Sequence, residues 1–543
     1  MTAPTTTAHD SWSELQTTAL LGTDRRPLPA PAGPPALAAA AGAVDRADPA
    51  TALLDLAALA TVRRRAGALP LPAPALPAPA EDDPRPEVPE AAARRLGFLL
   101  GGRGPDTSLA NLTELLPQWL AAARAHGYRP PPVHLPALLD TARARSELRP
   151  DVVALAGPLG RWLAERNPDW RFVGRTAGAA LPVDPTEVTA EHTSEHAGGG
   201  TAAGEQIWQE GLFAERVTHL TRLRRRDPAA GLDLLRSTWA TERAEDRLLF
   251  LDALQDGLSG ADEEFLEAAL GDRSKNVRAT AAELLSTLPG SALAARMAER
   301  ARACVRPLDG VLAVDPPTEC DTAMQRDGIP PKSPTGRGQR SWWLGEIVAA
   351  APLSLWTDAT GLTPGQLLAL PAREGGEADG TDWSAELREA WARAAVRQRD
   401  ESWARALLGP APRTGGADRS AGAPAKLLAV LPAAERATWT AAFVRTHGLG
   451  DAFQLLGACA TPWTPPLSTA VVAALERAAG SGAYPWSHSG VLGMTERALA
   501  PAAAPAVEAL AADAAPETAW SDTFTRLAET LRLRAAMLAE LVP

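Results

Sequence analysis

Cysteine, lysine and tyrosine are all scarce in this chain, and the scarcity of cysteine removes whole classes of protein. Its three cysteines, Cys304, Cys320 and Cys459, are scattered over 543 residues with no CxxC pair. An odd, dispersed set argues against a disulfide framework or a zinc ribbon and fits a reducing compartment. Only three lysines occur (Lys275, Lys332 and Lys426), so arginine carries nearly all the positive charge. With 54 basic against 65 acidic residues the net charge is −11, and the pI is about 5.4. That mean field repels a polyanion, so nucleic-acid binding is not expected. No run approaches the roughly 18 apolar residues of a membrane span. Met1 to Asp10 has neither the basic nor the apolar region of a secretory leader, and a cytoplasmic location is expected. The P-loop order, GxGxxG and GxSxG are also missing.

Alanine dominates the 45% hydrophobic fraction, while aromatic residues make up 5%. Alanine loses no side-chain entropy in a helix, and strand-favouring residues are few, so the composition predicts closely packed helices. The chain is too long for one core; two to four domains or a stack of repeats is expected. Ser11 to Glu14 reads as a capping box for a helix stopping at Gly22. Asp48 and Pro49 form an N-cap and N1 pair, followed by Leu53, Leu56, Leu59 and Val62 at helical spacing. That helix ends in Arg63, Arg64 and Arg65, read as complements to the helix dipole in preference to an anion patch.

Residues 69–89 form a proline-alanine linker within an N-terminal helical region, 1–173. Helices are expected from about Pro89 to Gly101, Asp106 to His126 and Val133 to Asn167. A glycine-rich flexible linker covers 174–204, a repeat core 205–306, a long loop 307–340, and a C-terminal helical region 341–543 with a further loop at 410–423. The last helix, Trp520 to Leu541, places Phe524, Leu527, Leu531, Leu538 and Leu541 on one face.

Within the core, a shift of 31 residues superposes Leu235 on Leu266, Trp239 on Leu270, Arg247 on Arg278 and Leu254 on Leu285. Self-similarity at a fixed period marks stacked helical hairpins, each with an apolar face that its neighbour buries. Asp272, Val277, Arg278, Ala281 and Leu285 resemble the turn and second helix of a HEAT-like repeat. In that pattern the aspartate fixes the turn, valine anchors the second helix, arginine reaches back across the hairpin and alanine permits close packing. The first unit keeps Arg247 but has Asp246 in place of the valine. A period of 31 is shorter than the usual HEAT length of about 40–47 residues. The expected fold is therefore all-α, a solenoid-like stack of HEAT-like hairpins.

Three stretches, Leu20 to Leu28 (LLGTDRRPL), Phe265 to Met297, and Trp342-Trp343-Leu344 with Trp356, resemble an uncharacterised bacterial family known only as a domain of unknown function. Genes of that kind commonly sit beside MoxR-type AAA ATPases, von Willebrand factor A proteins and SWIM zinc-finger proteins. The resemblance implies an accessory or scaffold role in a chaperone-like assembly and carries over no catalytic residue.

His192-Thr-Ser-Glu195-His196 matches HxxEH, but it lies between Pro185 and a triple glycine without an apolar helical period, so adventitious histidines are the reading. The 307–340 segment has an acidic half (Asp309, Asp315, Glu319, Asp321, Asp327) and a basic half (Lys332, Arg337, Arg340) running into Trp342 and Trp343. It is read as a structural connection, a partner-docking loop or a phosphate site. Trp383, Leu387 and Trp391, then Trp403 and Leu407, fall at helical spacing and are read as core before groove. Arg222, Arg224, Arg225 and Arg226 suit a helix C-terminus. No catalytic residue, cofactor or metal is expected. The leading expectation is a scaffold for a protein partner, an AAA ATPase or a von Willebrand factor A protein. Its rival is a HEAT-like enzyme or nucleic-acid processor with a site in a concave groove.

Overall fold

In the computed structural model, residues 10–30, 35–65, 77–101, 112–177, 197–334, 336–409 and 424–542 are described. They are predominantly helical and divide into two units, Met1–Glu81 and Asp82–Pro543. No described helix is long and apolar enough to cross a membrane.

The first unit has three helices, α1 (Asp10–Leu21), α2 (Pro35–Gly42) and α3 (Pro49–Arg65). Gly22, at φ 86°, ends α1 as expected, because a residue with a Cβ would be strained there. Asp48 caps α3 by accepting from the Ala50 amide (3.1 Å) and the Thr51 hydroxyl (2.6 Å). The buried core is small: Leu15, Ala41 and Leu56.

The second unit opens with a bundle, α4 (Glu90–Gly101), α5 (Leu112–Ala125), α6 (Leu135–Ala144), α7 (Arg149–Arg166) and α8 (Phe172–Ala177). Trp119, Leu120, Leu138 and Val173 fill its core. The single helix expected over Val133 to Asn167 is divided into α6 and α7, and α7 is itself kinked at Gly157 (φ 53°, ψ −146°) before Pro158. Proline has no N–H to give, so the Ala154 carbonyl loses its helical partner. Arg85 replaces it, donating to the carbonyls of Ala154 (2.8 Å) and Leu155 (3.0 Å).

The central helices are α9 (Ala197–Glu210), α10 (Phe213–Arg226), α11 (Pro228–Thr238), α12 (Ala244–Ala253), α13 (Glu263–Ala269), α14 (Lys275–Ser286) and α15 (Ala292–Cys304). Helix α9 begins inside the break expected at 174–204, whose residues 178–196 lie outside the described set. Helix α10 packs on α11 and α12, α12 on α14, and α14 on α13 and α15. Leu235, Leu254, Leu266, Leu270 and Leu285, five of the positions matched by the 31-residue shift, are buried in one core.

The all-α expectation needs one correction. A hairpin of β1 (Val305–Leu308) and β2 (Val311–Val314) follows α15, and β2 pairs in parallel with β3 (Ala372–Glu374). Asp309 and Gly310 both have positive φ (47° and 83°), the turn that an Asp-Gly pair makes between two strands. Around this sheet lie α16 (Thr322–Arg326), α17 (Gln339–Ala350), α18 (Ser354–Thr360), α19 (Pro364–Ala369), α20 (Ser384–Gln398), α21 (Glu401–Leu408) and α22 (Pro424–Val430). The stretch 341–409 is thus broken by a strand, and the loop expected at 410–423 lies outside the described residues. Trp383, Leu387, Trp391 and Trp403 are buried, with Trp391 edge-on to Trp356 at 5.7 Å.

The chain ends in α23 (Ala433–His447), α24 (Phe453–Gly457), α25 (Pro465–Gly480), α26 (Ser489–Ala498), α27 (Ala504–Asp513) and α28 (Ala519–Ala539). The apolar face read from Trp520 to Leu541 serves two cores. Phe524, Leu527 and Leu531 pack with α23–α27, whereas Met537 and Leu541 enter the α4–α8 bundle. Arg95 pairs with Glu540 at 2.6 Å across that junction.

Candidate functional site

The structure brings the residues of the 31-residue match together in a way the spacing alone did not specify. Asp272 holds its turn by accepting from the Ser274 amide at 2.8 Å, and Arg278 reaches back to the Asp272 carbonyl at 2.7 Å. Val277 is fully buried at the start of α14. Arg247, from the preceding unit, pairs with the Asp272 carboxylate at 3.1 Å and lies over the Trp239 ring. Trp239 in turn meets Phe265 edge-on at 4.9 Å. These contacts tie α12 and Trp239 to α13 and to the turn before α14.

Arg224 does more than the helix-end role read from the sequence. It stands in the last turn of α10, yet it is 1% exposed and forms a two-pronged pair with Asp262 (2.8 and 3.0 Å). It also donates to the carbonyls of Leu254, Asp256 and Pro228. The Asp262 carboxylate accepts from the Ser259 amide as well. All this hydrogen bonding offsets the desolvation of two buried charges. Gly231 makes room, since a Cβ there would lie 2.7 Å from the Arg224 Cδ.

The described part of 307–340 is built, strand by turn by helix, against α14 and α15. Asp321 caps α16 by accepting from the Met324 amide at 2.7 Å. Asp327, 3% exposed, takes Arg296 (2.9 Å) and Arg300 (2.7 Å), and Gly328 at φ 91° lies against Ala282, where a Cβ would collide. In the basic half, Lys332 is exposed, Arg337 pairs with Glu389 at 2.8 Å, and Arg340 pairs with Glu374 at 3.1 Å. Its hydrogen bond to Glu389 holds the Arg337 guanidinium more firmly protonated than usual. Trp342 is half-buried and Trp343 buried, and their indole N–H groups donate to the carbonyls of Pro330 and Pro331. Arg337 and Arg340 are thus ion-paired but exposed, like Lys332, while Trp342 and Trp343 fasten the segment from the start of α17.

Among the described residues of the second unit, two grooves bear on function. One, of about 810 Å³, lies between α12, α14 and the end of α20. Asp252, Gln255, Thr280, Glu283, Arg397 and Arg399 line it. Arg397 binds Glu283 with both prongs (2.9 and 2.5 Å), while exposed Arg399 has no ion-pair partner among the described residues. Arg399 sits at φ 53°, ψ 40° as the C-cap of α20, a conformation that favours glycine. A second groove, of about 900 Å³, runs between α21 and α23 and is lined by Pro364, Leu408, Leu431, Trp439 and Ala442, with Arg405 and Glu435 paired at its edge. Neither groove was legible from spacing, and the first joins α12 and α14 to α20, more than 90 residues further along the chain.

The thiols are poorly suited to nucleophilic chemistry. Burial, and then the charge of Asp315, push the Cys304 thiol up to about 11, and burial also raises Cys459. His192, Glu195 and His196 lie outside the described residues.

Over residues 14–541 the chain matches a family of unknown function, DUF5691, and it belongs to that family. No curated protein and no solved structure matches it.

Proposed function

We propose that this DUF5691 protein is a non-catalytic scaffold of the bacterial cytoplasm, a HEAT-like helical stack that docks a protein partner in the groove between α12, α14 and α20. The observation carrying the reading is that groove's mixed-charge wall, where the Glu283–Arg397 pair stands beside Asp252 and an uncommitted Arg399. Such a wall supplies charge complementarity that sets partner choice and register. The succession α10 on α12 on α14 supports the repeat-stack reading, since second helices of consecutive hairpins lie side by side in a solenoid.

The partner we put forward is a MoxR-type AAA ATPase or a von Willebrand factor A protein, on the resemblance alone. The rival reading, a HEAT-like enzyme or nucleic-acid processor, calls for a basic groove; the balanced charges here and the net charge of −11 weigh against it. Calorimetric titration of the purified full chain with a purified MoxR-type ATPase and a purified von Willebrand factor A protein tests both parts. One of them should bind, and Arg399→Glu should weaken binding about tenfold with helicity unchanged. Binding by neither, or equal binding by the variant, would count against the proposal.

A further inference from the structure

Of the sixteen tryptophans, Trp486 alone is exposed, at 74%; of the two tyrosines, Tyr128 is buried and Tyr484 is 65% exposed. These two rings stand two residues apart and stack, with centroids 6.4 Å apart and planes 20° from parallel. Large aromatic rings left together in water mark a recognition surface. The backbone beneath them is pinned. The Tyr484 carbonyl accepts from the Ser487 amide (3.0 Å) and hydroxyl (2.6 Å), and Pro485 opens the turn that leads into α26. The indole of buried Trp520 donates to the Ala483 carbonyl at 2.6 Å. A third exposed ring, Phe453, lies against Gly490 in the first turn of α26. Aromatic side chains on a fixed turn lose little freedom on binding.

We infer that this turn docks a proline-rich segment of a protein partner, laid as polyproline II across Tyr484 and Trp486. The charge of the surroundings selects that occupant first. No Asp, Glu, Lys or Arg occurs from Ala478 to Thr495, in a chain that is 22% charged. Nucleic acid and anionic lipid both call for basic neighbours. Hydrogen bonding narrows the choice further. The Trp486 indole N–H and the Tyr484 hydroxyl have no partner among the described residues, so two donors are uncommitted. A polyproline II segment makes no internal hydrogen bonds and its prolines carry no N–H, so it offers carbonyl acceptors. The spacing also fits. Two residues of polyproline II advance about 6.2 Å, which sets a Pro-x-Pro unit with one proline on each ring. Aromatic surfaces take such ligands because the segment is extended before it binds. None of these residues lines the groove between α12, α14 and α20, so the two surfaces stand independently.

Titration of the purified full chain with a decaproline peptide, followed by acrylamide quenching of tryptophan fluorescence, gives the test. The one exposed tryptophan dominates the quenchable signal, so saturating decaproline should remove most of it. A glycine-serine peptide of equal length should leave it unchanged. By calorimetry, Trp486→Ala and Tyr484→Ala should each weaken decaproline binding about tenfold or more. Trp486→Phe, which keeps a ring and loses the N–H, should fall between the wild type and Trp486→Ala. All three changes are on exposed positions, and circular dichroism checks that helicity is kept. No saturable binding of decaproline, or equal binding by Trp486→Ala, would overturn the inference. So would Trp486-dependent binding of cellohexaose, of phosphatidylcholine vesicles or of a second copy of the chain where decaproline does not bind, since each names a different occupant.

Discussion

The pair Arg224–Asp262 shows most clearly what single residues do here. Removing one partner leaves the other charge buried and uncompensated, so Arg224→Met should cost about 3–5 kcal/mol. Arg224→Met with Asp262→Leu should recover most of that, measured by denaturant midpoint. Asp83 gives a pH-dependent counterpart. Its hydrogen bond from Arg85 holds the Asp83 carboxyl below the usual carboxylate range, against a smaller opposing effect of burial. A depressed folded pKa contributes stability that is present above the unfolded value and is lost as pH falls through the folded one. The melting-temperature gap between wild type and Asp83→Asn should therefore be constant near neutrality and close below the ordinary carboxylate range. Neither pair was legible beforehand: Arg224 lies in a run of arginines at a helix end, and nothing local distinguishes the one that turns inward. The Gly157-Pro158 pair, which Arg85 and Asp83 serve, likewise went unread, since the spacing was taken as one helix from Val133 to Asn167.

At the scale of elements, periodicity exposed the helices and missed their long-range assignments. Leu235, Leu254, Leu266 and Leu285 were readable as core because a 31-residue repeat superposes them. The Asp309-Gly310 turn was equally readable, since Asp-Gly between two short apolar runs is a hairpin signal, yet the acidic character of 307–340 masked it. The double duty of α28 was not readable. Its last turns fill a bundle more than 350 residues earlier in the chain (Met537 against α4–α8), and no local pattern names a partner so distant. Buried Arg534 seals the same junction, donating to Gln118 on α5 and to the Leu499 carbonyl that closes α26, and its burial pushes the guanidinium down to about 10. Met537→Ala should cost about 2–5 kcal/mol by opening a cavity. Amide exchange should then quicken in α4–α7 more than in α9–α15. Uniform quickening would mean that α28 does not serve the bundle locally.

For the molecule as a whole, the described surface offers grooves and paired charges in place of a nucleophile with its base. The described part of 307–340 is a built connection: its carboxylates cap, pair and clamp, and Trp342 and Trp343 at the start of α17 fasten it. The segment read as a possible docking loop keeps Lys332, Arg337 and Arg340 exposed, and an open mixed-charge groove lies on α12, α14 and α20, which only the fold assembles. The account stands or falls on whether that surface receives a protein. Hydrogen exchange of the full chain, alone and with a purified MoxR-type ATPase or von Willebrand factor A protein at saturating concentration, asks this directly. Protection at 252–258, 279–288 and 397–399 is the predicted result; unchanged exchange there with either protein bound elsewhere would contradict it.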